Sequence, residues 1–201
     1  MVFSGNPGTG KTTVARIVAK IYGCLGLLST GHLVEVDRSG LVGNFVGHTA
    51  TKTRKVIEQA KGGILFIDEA YALAKDSAND YGQEAIEVIL KAMEDHRDEL
   101  VVIVAGYTDR MEGFLASNPG LRSRFPRMVT FPDYPAEELE EIFRREARRT
   151  QYRIADEAGA ALKGELERLW QQRGPNFANA RDVRRESGEK QACFRIKYGY
   201  D

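Results

Sequence analysis

The sequence predicts an α/β fold, in which a parallel sheet lies between helices and a small all-helical domain follows. Short apolar runs alternate with amphipathic stretches through the first two-thirds of the chain, which is typical of repeated βαβ units. The runs at residues 63–67 and 100–105 are continuously apolar, as expected of central strands buried on both faces. After Pro132 the periodicity becomes helical, and no further strand pattern follows.

Strands are predicted at short apolar runs, which are separated by residues typical of turns. The first lies at residues 1–4, directly before a glycine-rich turn. The others lie at residues 32–36, 63–67, 100–105 and 128–131. Several of the connections between them are long enough to hold a crossover helix, which parallel pairing requires.

Helices are predicted where apolar residues recur with a period near that of the α-helix, at residues 11–23, 52–59 and 82–96. A further helix opens at Pro135, with acidic residues in its first turn, where the helix dipole favours them. We therefore predict an α/β core at residues 1–134 and a helical domain at residues 135–201.

We expect both ends of the chain to be cut. The first strand begins at residue 1, with no element before it. The stretch after about residue 186 breaks the helical pattern and ends in Tyr-Gly-Tyr-Asp. We expect this tail of the helical domain to be cut or altered.

The composition is that of a globular protein with an evenly balanced surface. Hydrophobic residues make up 42% of the chain, and 29 basic residues balance 29 acidic ones. This balance favours neither nucleic acid nor a membrane surface as a partner. Cys24 and Cys193 lack metal or redox spacing, and no apolar run is long enough to span a bilayer. A cytoplasmic location is expected.

A phosphate-binding loop is predicted at the turn after the first strand. The turn matches the pattern G-x-x-x-x-G-K-[ST] and stands between a strand and a helix, as this motif requires. Its backbone N–H groups can donate hydrogen bonds to phosphates. The Lys11 ammonium can bind the β- and γ-phosphates, and the Thr12 hydroxyl can coordinate Mg²⁺. The alternative is a glycine-rich turn that matches by chance. The residues assigned to ATP binding are Gly5, Asn6, Pro7, Gly8, Thr9, Gly10, Lys11, Thr12 and Thr13.

Two acidic residues, Asp68 and Glu69, follow the apolar run at residues 63–67. Ligands of parallel sheets bind at the carboxyl ends of the strands. Asp68 is the predicted carboxylate for Mg²⁺, and Glu69 is predicted to polarise the water that attacks the γ-phosphate. The alternative is that the two acids only cap the next helix. Together with the phosphate loop, the two acids predict the parallel-sheet fold of a P-loop NTPase. They also predict that the protein hydrolyses ATP.

Further segments of the chain carry a family resemblance. The most specific are LVGNFVGHT at 41–49, GILFIDEAY at 63–71, AGYTDRM at 105–111, SNPGLRSRF at 117–125 and FPDY at 131–134. The chain resembles the clade of AAA+ ATPases that holds stage V sporulation protein K, the red-type Rubisco activases and the C-terminal ATPase of type VII secretion. The resemblance covers about residues 2–185 and is strongest to the sporulation branch.

This resemblance implies an ATP-driven homo-oligomeric ring, usually a hexamer, with a helical AAA+ lid and nucleotide sites at the subunit boundaries. Arg124 matches the arginine finger that reaches the γ-phosphate of the neighbouring subunit, with Arg122 as the second choice. Arg181 matches the second sensor, which moves onto the nucleotide when the lid closes. Tyr107 stands at the first-sensor position, where many members have Asn or Thr. The alternative for each arginine is a side chain without such a role.

The resemblance also implies a pore loop at Phe45, Val46 and Gly47, which would grip a client polypeptide in the centre of the ring. An aromatic and an aliphatic side chain beside glycines would form a mobile apolar contact there. The alternative is that Phe45 packs into the core.

These features favour an ATPase that remodels a client protein of unknown identity. A clamp loader or initiator is a rival, but the arginines at residues 144–149 are mixed with an acid, which favours a solvated helix face. A P-loop phosphotransferase is disfavoured by Glu69. A nucleotide-gated binding module with little turnover stays open. Neither nucleic acid nor a membrane is expected as a partner.

Overall fold

The computed structural model describes residues 1–43, 45, 47–74, 81–151, 154, 156–174 and 177–183. These residues divide into two compact units. The first unit holds Met1–Gly5 and Lys11–Phe131, and the second holds Asn6–Gly10 and the chain from Pro132 onward. The predicted tail after residue 186 and the predicted pore-loop residue Val46 lie outside the described residues.

A five-stranded sheet organises the first unit, and all its described pairings are parallel. The order of the strands across the sheet is β2-β3-β4-β1-β5. Each strand lies within one residue of its predicted bounds, so the predicted parallel sheet is confirmed. The strands are β1 (Val2–Gly5), β2 (Leu33–Val36), β3 (Ile64–Ile67), β4 (Val101–Gly106) and β5 (Met128–Phe131).

Helices connect the strands of the first unit. Two of them, α1 and α4, agree with their predicted bounds to within one residue. A short 3-10 helix at Ala70–Ala74 follows β3. The helices are α1 (Lys11–Cys24), α2 (Arg38–Leu41), α3 (His48–Ala60), α4 (Gly82–Asp95), α5 (Thr108–Ala116) and α6 (Pro119–Arg124).

Side chains of the central strands alternate between two apolar layers, one on each face of the sheet. On β3, Leu65 and Ile67 join the layer that includes buried residues of α3, α4 and α5. Their neighbours Ile64 and Phe66 join the layer that includes Ala15 and Ala19 of α1. Because both faces are covered, these strands consist of apolar residues throughout, which is why their sequences show no alternation.

Helix α3 begins at His48, four residues before the predicted start at Lys52. Its buried positions include Thr49 and Thr53, which are polar and therefore conceal the apolar period. The Thr53 hydroxyl donates to the carbonyl of Leu41 at 3.1 Å, which satisfies its hydrogen bonding inside the core.

Helices α2, α5 and α6 were not predicted, although two of them have local start signals. The Asp37 carboxylate caps α2 by accepting from the N–H of Gly40 at 3.0 Å. The Asn118 side chain caps α6 by accepting from the N–H of Gly120 at 2.8 Å, and Pro119 occupies its first turn. Each of the three is short, so few apolar positions mark its period.

The second unit is helical in its described part, as the sequence predicted after Pro132. Its helices are α7 (Ala136–Arg149) and α8 (Asp156–Gln171). Leu139 of α7 and Leu166 of α8 pack with Phe177 and Val183 in a separate apolar core. The fully buried Leu139 marks the centre of this packing. This unit therefore has a hydrophobic core of its own.

Candidate functional site

Three predicted site positions follow adjacent strands of the first unit. Lys11 begins the helix that comes after β1, Asp68 comes directly after β3, and Tyr107 comes directly after β4. In the sheet these strands lie side by side in the order β3-β4-β1. Because parallel strands end at the same edge, these residues share the carboxyl edge of the sheet, where ligands of such sheets bind.

The start of α1 is electrostatically suited to an anion. The helix is 14 residues long and has no acidic residue in its first turn, so its positive dipole end is not neutralised locally. The Lys11 ammonium donates to the carbonyl of Gly5 at 2.8 Å, which holds it beside the end of β1. Thr12 is half-buried and Thr13 is exposed.

Gly5 ends β1 in a conformation that side-chain-bearing residues rarely adopt. Its φ is 147°, and an added Cβ would lie 2.3 Å from the carbonyl oxygen of Phe131. Because this oxygen belongs to the neighbouring strand β5, any larger residue would push the strands apart. The first glycine of the motif is therefore required by the packing of the sheet.

Residues Asn6–Gly10 of the predicted phosphate loop belong to the second unit. The Asn6 amide donates to Asp133 at 3.0 Å, and the Tyr134 hydroxyl donates to the carbonyl of Thr9 at 2.9 Å. Gly8 has a φ of 72°, and an added Cβ would lie 2.1 Å from the Ala178 carbonyl oxygen. The backbone of the loop therefore packs so closely against the backbone of Ala178 that no side chain is tolerated at Gly8.

This packing brings Arg181 close to the phosphate loop within the second unit. A Cβ on Gly8 would lie 2.8 Å from the backbone nitrogen of Arg181. The Arg181 side chain is exposed. The structure thus places the predicted second sensor beside Gly8, two residues beyond Asn179.

The buried Asn179 ties the second unit together, although no role was predicted for it. Its side-chain oxygen accepts from the N–H of Tyr134 at 2.9 Å, and its amide donates to Asp133 at 2.7 Å and to the Pro7 carbonyl at 3.3 Å. The residue is fully buried, and its φ of 49° lies in the left-handed region that asparagine tolerates better than most residues. One amide thus links the loop to the chain on either side of the two helices.

The two acids after β3 differ in their surroundings. Asp68 is half-buried, and its carboxylate accepts from the N–H of Glu69 at 3.0 Å. Burial raises the pKa of Asp68, while the Glu69 N–H and the positive charge of Lys11 oppose the rise. The Asp68 carboxylate therefore lies within the electrostatic reach of Lys11.

Glu69 is exposed and has a φ of 48°, which is a strained conformation for this residue type. This positive φ turns the chain sharply from β3 into the 3-10 helix. The carbonyl of Glu69 accepts from the N–H of Ala72 at 2.8 Å. Strained backbone of this kind is found preferentially at functional sites.

An aromatic and cationic cluster, Tyr71, Tyr107 and Arg110, lies next to Glu69. The guanidinium carbon of Arg110 lies 5.0 Å from the ring centre of Tyr71 and 5.3 Å from that of Tyr107. Burial raises the pKa of Tyr71, and the charge of Glu69 and a hydrogen bond to its carboxylate act in the same direction. Sequence reasoning missed Tyr71 and Arg110, although both lie inside segments that it singled out.

The predicted arginine finger has a partner on α4. Arg124 is the last residue of α6, and its guanidinium forms an ion pair with Glu94. Leu121 and Phe125, on either side of it, are buried. Arg122, the second choice, is exposed.

The described part of the predicted pore loop is exposed. Phe45 keeps 68% of its surface accessible, so the alternative that it packs into the core is wrong for this structure. Its ring meets that of His48 edge to face, with the centres 5.4 Å apart. Gly47, with a φ of 77°, stands immediately before α3.

The sequence matches two family models, one for each part of the chain. Residues 1–133 match the ATPase family associated with various cellular activities, abbreviated AAA. Residues 135–188 match the AAA lid domain. The chain belongs to the AAA ATPase family. Proteins of this family are ATPases that use ATP with Mg²⁺.

Curated AAA relatives come from two of the three groups that the sequence resembles. The chain is 53% identical to the chromosomal protein CbxX of Cupriavidus necator and 49% identical to stage V sporulation protein K of Bacillus subtilis. It is 51% identical to the chloroplastic ribulose bisphosphate carboxylase/oxygenase activase of Cyanidioschyzon merolae. Each match covers 92% of this chain, and 58%, 58% and 62% of these relatives respectively. The chain thus spans about three-fifths of their length.

A solved structure described as the structural basis for katanin self-assembly shares the fold. Its TM-score is 0.64 at 20% sequence identity, and the match covers all of this chain and 59% of that chain. At this identity the likeness concerns the AAA fold alone. Within the described residues, no helix has the length and apolar character needed to cross a membrane.

Replacing Asn179 by Ala tests the polar cluster of this AAA chain's second unit. We expect Asn179→Ala to lower the free energy of unfolding by about 3 kcal/mol, because the partly buried groups that pair with its amide lose their hydrogen bonds. The fluorescence of the single tryptophan, Trp170, which packs against the core of this unit, would follow unfolding in urea. Gln171→Ala, at an exposed amide of α8, is the matched control and should change little. Equal midpoints for the two variants would contradict the role of Asn179.

The raised pKa of Asp68 predicts a pH-dependent gain in stability for Asp68→Asn. Because the pKa is higher in the folded chain, ionisation of Asp68 disfavours folding as the pH rises through that value. The gain in melting temperature should therefore be absent below about pH 4 and should grow as the pH rises above it. Asp98→Asn, at an exposed carboxylate, should show no such trend in a melting series without nucleotide. A difference for Asp68→Asn that does not depend on pH would be incompatible with this origin.

Proposed function

We propose that this chain binds ATP with Mg²⁺ and hydrolyses it at the boundaries between subunits of a ring, and that it thereby remodels a client protein through a central pore. The observation that carries the proposal is the shared carboxyl edge of β3, β4 and β1, which collects Lys11, Asp68, Glu69 and Tyr107. Membership of the AAA family supports ATP as the ligand. We also propose that the nucleotide-binding core ends at residue 134 and that the lid begins at residue 135.

The residues of the phosphate loop fit a nucleoside triphosphate. Gly8 and Gly10 have positive φ values of 72° and 93°, which let successive backbone N–H groups turn toward one anion. We assign the phosphates to the backbone of residues 5–13 and to the Lys11 ammonium. Thr12 and the half-buried Asp68 are oxygen donors of the kind that Mg²⁺ binds, and the ion would neutralise charge on the phosphates.

Glu69 is the residue that we assign to activating water. Its exposed carboxylate leaves β3 on strained backbone and accepts from Tyr71, which is packed beside Tyr107 and Arg110. These neighbours restrict where the carboxylate points. A carboxylate in this position promotes ATP hydrolysis because it orients a water molecule for in-line attack on the γ-phosphate and accepts its proton. Tyr107 is assigned to the first-sensor position on the same edge.

A ring follows from the role assigned to Arg124. If this guanidinium completes the site of a neighbouring copy, each contact is head-to-tail, and such contacts close into rings when the rotation allows. A planar cationic fork suits the spread charge of the γ-phosphoryl group in the transition state. We propose a hexamer, with Arg181 as the second sensor beside Gly8.

The pore loop is the part that we assign to the client protein. Phe45, two residues before Gly47, exposes 68% of its surface, so it is available to contact an extended polypeptide. The names of two relatives refer to Rubisco activation and to sporulation, which are different processes. We therefore propose a protein client without choosing between these processes.

The arginines of α7 argue against nucleic acid as the client. All four are paired with glutamates of the same helix, so their charge is locally balanced. A phosphate backbone is bound by basic groups that are not balanced in this way. The ion pairs are Arg144–Glu140, Arg145–Glu141, Arg148–Glu141 and Arg149–Glu146.

The proposal predicts that the ATPase rate per subunit rises with protein concentration. Glu69→Gln and Arg124→Ala should each lower the rate by at least about 100-fold, because they remove the water-activating carboxylate and the cation in trans. Glu69→Gln should still bind ATP. Arg122→Ala is the matched control for Arg124→Ala and should keep the rate.

Two outcomes would contradict this account. A rate per subunit that is independent of concentration and unchanged by Arg124→Ala would show that each copy completes its own site. Tight ATP binding without turnover at any concentration would favour the nucleotide-gated binding module instead.

A further inference from the structure

Glu94 occupies an electrostatically unfavourable position on α4. It stands beside Asp95 in the last turn of the helix; this turn contains no basic residue, and Lys91 stands three residues before Glu94. The negative end of the helix dipole disfavours acids there. A cation is therefore a favourable partner for Glu94, and the structure pairs it with Arg124 at the end of α6.

The backbone that carries Arg124 is fixed against the core of the first unit. Leu121 keeps 2% and Phe125 4% of their surface accessible, so the turn that contains Arg124 is anchored on both sides. At the other end of α6, a Cβ on Gly120 would lie 2.9 Å from a methyl carbon of Leu90 on α4. These contacts set the register of the two helices and bring the charged side chains together.

We propose that Glu94 is a positioning residue, which holds the Arg124 guanidinium in the orientation that reaches the nucleotide of the neighbouring copy. This inference rests on the proposed function. Both side chains remain partly exposed, at 35% for Arg124 and 59% for Glu94, so the pair is accessible to a second subunit.

The chemistry of the pair favours positioning over sequestration. The ion pair joins one terminal nitrogen of Arg124 to one carboxylate oxygen of Glu94. A guanidinium has five N–H donors, so one such contact does not exhaust its capacity to bind a phosphate. Exposed ion pairs contribute little stability, which makes this one too weak to withhold the arginine from a phosphate. Its effect is to restrict the rotamers of a long side chain before the subunits meet.

Mixing two inactive variants tests the proposal. Glu69→Gln subunits supply a finger but have a defective site, whereas Arg124→Ala subunits have an intact site but no finger. Their mixture should recover ATPase activity if sites are shared. Adding Glu94→Gln to the Glu69→Gln subunit should then lower the recovered maximal rate by about three- to tenfold and leave the KM for ATP unchanged.

Two controls separate positioning from a general loss of structure. Glu87→Gln, at an exposed glutamate of the same helix, should have no effect when added to the Glu69→Gln subunit. Glu94→Gln added to the Arg124→Ala subunit should also have no effect, because that copy supplies no finger. Losses of equal size in both subunits would show a structural role and overturn the proposal.

The remaining outcomes distinguish the inference from the proposed function. No recovery in the first mixture would overturn the shared site, and the positioning role with it. Full recovery with Glu94→Gln in the finger-supplying subunit would overturn the positioning role alone. A higher rate with that variant would show that Glu94 withholds the arginine, which also contradicts positioning.

Discussion

The parallel pairing of three adjacent strands is the constraint on which the proposed site depends. Since β3, β4 and β1 run in the same direction, Asp68, Tyr107 and the loop before Lys11 all follow strand ends at one edge. Apolar layers on both faces fix the positions of these strands. The effect of the Lys11 charge on the pKa of Asp68 is the electrostatic consequence of this arrangement.

The helical unit depends on a different interaction, the buried amide of Asn179. A buried polar group is costly unless it is hydrogen-bonded, and this amide is satisfied by Tyr134, Asp133 and Pro7. The same cluster fixes the loop whose Gly8 backbone lies against the turn that carries Arg181. A change in this loop therefore alters the packing of the helical unit directly.

Sequence periodicity and motifs predicted the strands and two main helices, because continuous apolar runs and glycine patterns are local signals. They placed the start of α3 too late because Thr49 and Thr53 are buried polar residues. Contacts between distant residues could not be predicted in this way: Asn179 with Asp133, Arg124 with Glu94, and Arg110 with Tyr71. Each of these side-chain contacts depends on tertiary packing, and a single sequence carries no local signal for it.

The most direct measurement of the central claim is ATP binding by calorimetry in the presence of Mg²⁺. The account predicts that Lys11→Ala weakens ATP binding by at least about tenfold, because a charged contact to the phosphates is lost. Lys20→Ala, at an exposed position on the same helix, should bind ATP as the wild type does. Equal ATP affinity for the two variants would show that the carboxyl edge of the sheet is not the nucleotide site.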